Sequence, residues 1–114
     1  MQIALPIGDS GPTVEEVLAS LRRLRVQAIG IEYQLQDEIA RQFTQDGIPF
    51  LKEHRLAPRN RIDFLVSGGI GIEVKKGKPN SAQVMEQVER YCRFDVVRTL
   101  ILVVERNVFT YDRS

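Results

Sequence analysis

Asp63, Glu73 and Lys75 place two carboxylates and an ammonium within one short run of the chain, Arg61 to Lys75. Ile62, Phe64 and Val66 alternate there with Asp63, Leu65 and Ser67. After Gly68-Gly69, Ile70, Ile72 and Val74 alternate with Gly71, Glu73 and Lys75. Period-two alternation on both sides of a Gly-Gly pair predicts a β-hairpin, because the turn needs positive φ angles that glycine adopts without steric penalty. Folding about that turn brings Asp63 alongside Glu73 and Lys75, which share one face while Ile72 and Val74 share the other. Two carboxylates held close repel, and the pKa of at least one rises unless a cation sits between them. A divalent cation that accepts few hard oxygen ligands, magnesium or manganese, matches this pair and takes its remaining ligands from water and phosphate. A lysine next to it can position or deprotonate water attacking phosphorus. A charged outward face is ordinary on an antiparallel sheet. An Asp on the paired strand, with glycines between, favours the chemical reading over that one.

Asp63, the glycine-containing spacer and Glu73-Val74-Lys75 resemble the motif of the PD-(D/E)XK nuclease superfamily. That resemblance implies an α/β, restriction-endonuclease-like fold. Its core is αβββαβ, a mixed central sheet flanked by helices, here with an extra N-terminal helix. It also implies metal ligation by Asp63, Glu73 and the Val74 carbonyl, with Lys75 orienting or activating water. The superfamily's proline before the Asp is replaced by Arg61-Ile62. Glu32-Tyr33-Gln34-Leu35 looks like the acidic element of the Holliday-junction resolvase branch and implies Glu32 as a further metal ligand. Gln87-Val88-Glu89-Arg90-Tyr91 resembles the Gln-x-x-x-Tyr element of the RecB-like exonuclease branch and implies that Gln87 and Tyr91 support the site. Separations of four put these two side chains on adjoining helical turns. The two elements point to different branches.

The elements that must hold these residues are legible in order. Thr13-Val14-Glu15-Glu16 has the form of a capping box, and Val14, Val17, Leu18, Leu21 and Leu24 fall on one helical face. Arg22, Arg23 and Arg25 crowd its last turn, where they complement the helix dipole or meet phosphate. A second helix runs from Ile31 or Glu32 to about Asp46, with Leu35, Ile39 and Phe43 spaced for burial and Gly47 and Pro49 at its end. Ile48 to Leu56 reads as the first core strand, burying Ile48, Phe50 and Leu51. His54, without a second His or Cys nearby, is a poor metal ligand. Ser81 is the expected cap of a helix over Ala82 to Phe94. Thr99 to Glu105 is an apolar run typical of a strand buried on both faces, parallel to an earlier one, and Val108 to Tyr111 an edge strand.

With 114 residues, 43% hydrophobic and 27% charged, the chain suits a single domain, residues 1–114. A formal charge of +1 gives no global basic signature, so attraction to DNA must come from local cations. Arg55, Arg59, Arg61, Lys76, Lys78 and Arg90 are the candidates for phosphate contact. One cysteine, Cys92, excludes an internal disulfide and predicts a buried thiol. No apolar run is long enough to span a bilayer, which together with the cysteine count predicts a cytoplasmic protein without membrane attachment. The reading is a magnesium- or manganese-dependent deoxyribonuclease, structure- or end-directed and a homo-oligomer like small relatives in the superfamily. The alternative is a non-catalytic nucleic-acid-binding or scaffold module retaining the fold.

Overall fold

The computed structural model describes residues 11–24, 32–75, 80–104 and 107–112, with the backbone alone for residues 32–34 and 107. The elements follow the order α1 (Val14–Arg22), α2 (Glu32–Gln45), β1 (Phe50–Ala57), β2 (Asn60–Val66), β3 (Ile70–Lys75), α3 (Ser81–Cys92), β4 (Thr99–Val104) and β5 (Asn107–Asp112). The protein is α/β. Its five strands form one mixed sheet in the order β1-β2-β3-β4-β5. Only β3 and β4 run parallel, joined through α3; the other neighbours are antiparallel.

The helix starts follow from local chemistry. Thr13 caps α1 through the expected box, its hydroxyl accepting from the Glu16 N–H at 3.1 Å while Glu16 accepts from the Thr13 N–H at 3.2 Å. The cap of α3 is Asn80 rather than Ser81. Asn80 accepts from the Gln83 N–H at 2.8 Å and Gln83 returns the bond at 3.0 Å, so Asn-x-x-Gln forms the box and Ser81 becomes the first helical residue. At the end of α2, Asp46 gathers Ser20 Oγ at 2.6 Å, Arg23 at 2.9 Å and Gln42 at 3.0 Å on one oxygen, tying α1 to α2.

Those two helices cover one face of the sheet. Val17, Leu21, Leu35, Ile39 and Phe43 pack on Phe64, Val66, Ile70, Ile72, Val74, Ile101 and Val103. Phe43, Phe50 and Phe64 meet edge-on or tilted at 5.5 to 5.9 Å between ring centroids. Ile62, Leu65, Tyr91, Val97 and Leu100 form the second layer, under α3. All six residues of β4 are buried, as an apolar run with helices on both sides requires. Full burial of each large aliphatic or aromatic side chain contributes about 1.5–3 kcal/mol.

Three expectations change. Leu51 is exposed, and β1 begins at Phe50 with Ile48 buried just before it. Cys92 is half-buried against the second layer. Ile62 does not share a layer with Phe64 and Val66. Alongside, β1 pairs Lys52 with Phe64 and His54 with Ile62, and the intervening Glu53 adopts φ +52°. Ile62 lies over Gly71, where a Cβ would overlap its Cδ1.

Candidate functional site

The hairpin turn is Ser67-Gly68-Gly69, one residue longer than expected, with Val66 opposite Ile70 and glycine φ angles of +91° and +82°. Gly69 also receives the chain entering β4, its carbonyl accepting from the Arg98 and Thr99 N–H groups at 2.7 and 3.1 Å. This fixes the start of β3 against β4. The β2–β3 ladder then runs only to Phe64 opposite Ile72. Beyond it, side chains replace the backbone partners. The Asp63 N–H donates to Glu73 Oε1 at 3.1 Å, and the Val74 N–H donates to Asp63 Oδ2 at 2.7 Å.

Lys75 Nζ lies 3.5 Å from Glu73 Oε2. Glu73 is 5% exposed. Burial, and after it the charge of Asp63, pushes the Glu73 carboxyl up to about 7, with Lys75 and the Asp63 N–H opposing. Tyr91, from α3, closes the other side: its hydroxyl donates to the Arg61 carbonyl at 3.1 Å and lies near enough to Glu73 to feel its charge. Burial and the Glu73 charge push this phenol up to about 12, so it keeps its proton. One turn earlier on α3, the buried Oε1 of Gln87 has no hydrogen-bond partner in the structure. A buried acceptor left unpaired is an opening for a donor carried by water or a ligand.

Asp63, Glu73, Lys75 and Tyr91 are thus brought together, with Val74 bonded to Asp63 and Gln87 on the same helix as Tyr91. Glu32 opens α2, but its side chain, like Lys76 and Lys78, lies outside the described residues. Among the described residues no group of three or more His, Cys, Asp and Glu converges. Asp63 and Glu73 are two converging carboxylates whose mutual repulsion a cation would relieve. That set suits a hard ion that keeps most of its waters, and lacks the soft or imidazole ligands of a zinc centre.

The cationic candidates sort themselves. Arg55, Arg59, Arg61 and Arg90, with Pro58, Asn60 and Tyr91, line a concavity of about 590 Å³. Sequence reasoning named these arginines singly and missed that they share one hollow. The signal was a register: the Pro58-Arg59 turn sets Arg55 directly opposite Arg61. A second hollow of about 540 Å³ beside α1 and α2 includes Arg22, Arg23 and Arg41, but Arg23 is held by Asp46 and Arg41 by Glu38. The first pairing ties the end of α1 to the end of α2, and the second lies within α2.

No helix among the described residues is long and apolar enough to cross a membrane. Compared with protein-family models, curated proteins and solved structures, the chain finds no match.

Proposed function

We propose that this protein is a metal-dependent nuclease of the PD-(D/E)XK type that hydrolyses DNA phosphodiester bonds, directed by the structure or end of the DNA rather than by a long sequence. One observation carries the reading: Asp63 and Glu73 face each other at the splayed end of a hairpin, with Lys75 beside Glu73 and Tyr91 across from it. A fold that only displayed charge would let these groups spread into water. Here Glu73 is buried beside a like charge, at a cost in ionisation that a bound cation would offset.

Asp63 and Glu73, with the Val74 carbonyl, would hold magnesium or manganese, and Glu32 is a further ligand in this reading. The ion supplies charge neutralisation at phosphorus and acidifies water. Lys75, a donor without acceptor capacity while charged, orients the attacking water and faces the negative charge that develops on the phosphoryl oxygens. Glu73, whose carboxyl burial and Asp63 raise in the free protein, would be held ionised by the bound cation and serve as its ligand. Tyr91 holds the Arg61 carbonyl and with it the segment of β2 that carries Asp63. Arg55, Arg59, Arg61 and Arg90 supply phosphate contacts beside the site.

The test is cleavage of linear, circular, single-stranded and four-way-junction DNAs with magnesium, manganese or chelator, comparing wild type with Lys75→Ala and Asp63→Ala. Metal-dependent cutting lost in both variants is expected. No cutting of any substrate, with a melting temperature that neither metal changes, would overturn the reading in favour of a non-catalytic nucleic-acid-binding module.

A further inference from the structure

The hollow beside Tyr91 carries more positive charge than the fold compensates. Among the described residues Arg55, Arg59 and Arg61 have no carboxylate partner; Arg90 is paired with Glu86 at 2.7 Å. No carboxylate lines the hollow. Arg55 and Arg61 stand directly opposite on β1 and β2, a like-charge cross-strand pair that destabilises a sheet on its own. Arg59 sits in the two-residue turn at φ +66°, a left-handed conformation that glycine adopts more easily. Two unfavourable features converge on one cavity, and an anion held there relieves the repulsion of Arg55 and Arg61.

We infer that this hollow is a seat for the terminal phosphate of a nucleic-acid strand. The inference rests on the nuclease reading for its consequence, though not for its binding. Guanidinium groups match phosphate oxygens in bidentate fashion. Three of them without partners suit a phosphate monoester, which carries about −1.5 to −2 charges, better than the single charge of an internal diester. The Pro58-Arg59-Asn60 turn forms part of the wall of the hollow. Its position gives the phosphate a role. Arg61 stands two residues from Asp63 on β2, roughly 7 Å along a strand, and Tyr91 borders both the hollow and Glu73. A strand end anchored by its phosphate presents a diester within its first few nucleotides to Asp63 and Glu73.

The test is binding of the full chain in chelator, so that nothing is cut. Fluorescence anisotropy compares otherwise identical DNAs ending in 5′-phosphate, 3′-phosphate or hydroxyl, with inorganic phosphate as competitor. A phosphorylated end is expected to bind about tenfold tighter or more than a hydroxyl end. That advantage should vanish in Arg59→Ala and in Arg61→Ala, both exposed positions whose folding circular dichroism checks, and persist in Asp63→Asn. Equal affinity for all ends, or a preference that survives both arginine variants, would overturn the seat. Inorganic phosphate binding as tightly as the phosphorylated strand would overturn the strand end as its occupant. A protein that prefers phosphorylated ends yet cuts nothing with any metal keeps the seat and loses the nuclease reading.

Discussion

Asp63 and Glu73 are held together by each other's strand: the Asp63 N–H donates to Glu73 Oε1 at 3.1 Å, while Asp63 Oδ2 accepts the N–H of Val74, the residue after Glu73. Each carboxylate thus satisfies a backbone donor that the ended ladder would leave open. The arrangement stabilises the splayed hairpin and concentrates negative charge in the same stroke. Its consequences for pH and for substitution differ in sign.

Raising a carboxyl in the folded state means that the native protein binds a proton more tightly than the unfolded chain. Between the ordinary value of 4.5 and about 7, native Glu73 holds a proton that the unfolded chain has released, so stability falls as pH rises through that window. Glu73→Gln removes the titration. In metal-free buffer, wild type is expected to lose on the order of 2–3 kcal/mol relative to Glu73→Gln between pH 4.5 and pH 8. Urea unfolding at several pH values measures it; parallel curves for the two proteins would contradict the buried carboxyl.

Asp63→Asn separates structure from chemistry. The amide oxygen still accepts the Val74 N–H, while of the two causes that raise Glu73 burial stays and the Asp63 charge is gone. Stability at pH 8 is expected to hold or rise, and cleavage to fall by about 10²-fold or more. Melting temperature and initial rate on the same preparation decide it, since a fall in both together would make Asp63 a structural residue only.

How far the sequence foretold this site depends on the range of the interaction. Alternation and the Gly-Gly pair placed Asp63 beside Glu73 because hairpin register is a local property, and the Thr13 box was legible for the same reason. The buried run of β4 was legible from composition alone. The layer change at Ile62 was not, since it needs the bare backbone of Gly71, on the neighbouring strand, to receive the side chain. Nor was the bond from Tyr91 to the Arg61 carbonyl, which joins residues thirty positions apart. The arginine hollow lay between these cases: Arg55 and Arg61 were each noted, but their opposition needed the turn at Pro58-Arg59 to be counted.

Tyr91→Phe removes that long-range bond. The ring stays packed in the second layer, but the Arg61 carbonyl loses its donor. A destabilisation of about 1–2 kcal/mol is expected. Loosening of Arg61 should also weaken cleavage less than Asp63→Asn does. Unfolding curves coincident with wild type would show that the phenol bond contributes nothing.

Asp46 gives the opposite pH sign to Glu73. Hydrogen bonds from Ser20 and Gln42, then the Arg23 guanidinium, hold its carboxyl below 3.8. A lowered folded pKa contributes stability that is present above the unfolded value and lost as pH falls through the folded one. The advantage of wild type over Asp46→Asn should therefore be full near pH 6 and shrink below pH 4, read as a difference in melting temperature. A constant difference would assign the α1–α2 tie to packing alone.

Arg59 is where stability and binding pull apart. At φ +66° an L-residue is strained by roughly 1–2 kcal/mol, which glycine relieves, less about 0.5–1 kcal/mol for the freedom glycine adds to the unfolded chain. Arg59→Gly is expected to be as stable as wild type or up to about 1 kcal/mol more stable, while losing the preference for phosphorylated ends. Arg59→Lys keeps the strain and the charge but not the planar fork, so its stability should match wild type and its preference should weaken without vanishing. Melting temperatures beside anisotropy titrations of the two variants measure both effects. Were Arg59→Gly destabilised while keeping the end preference, the residue would be serving the turn and not the phosphate.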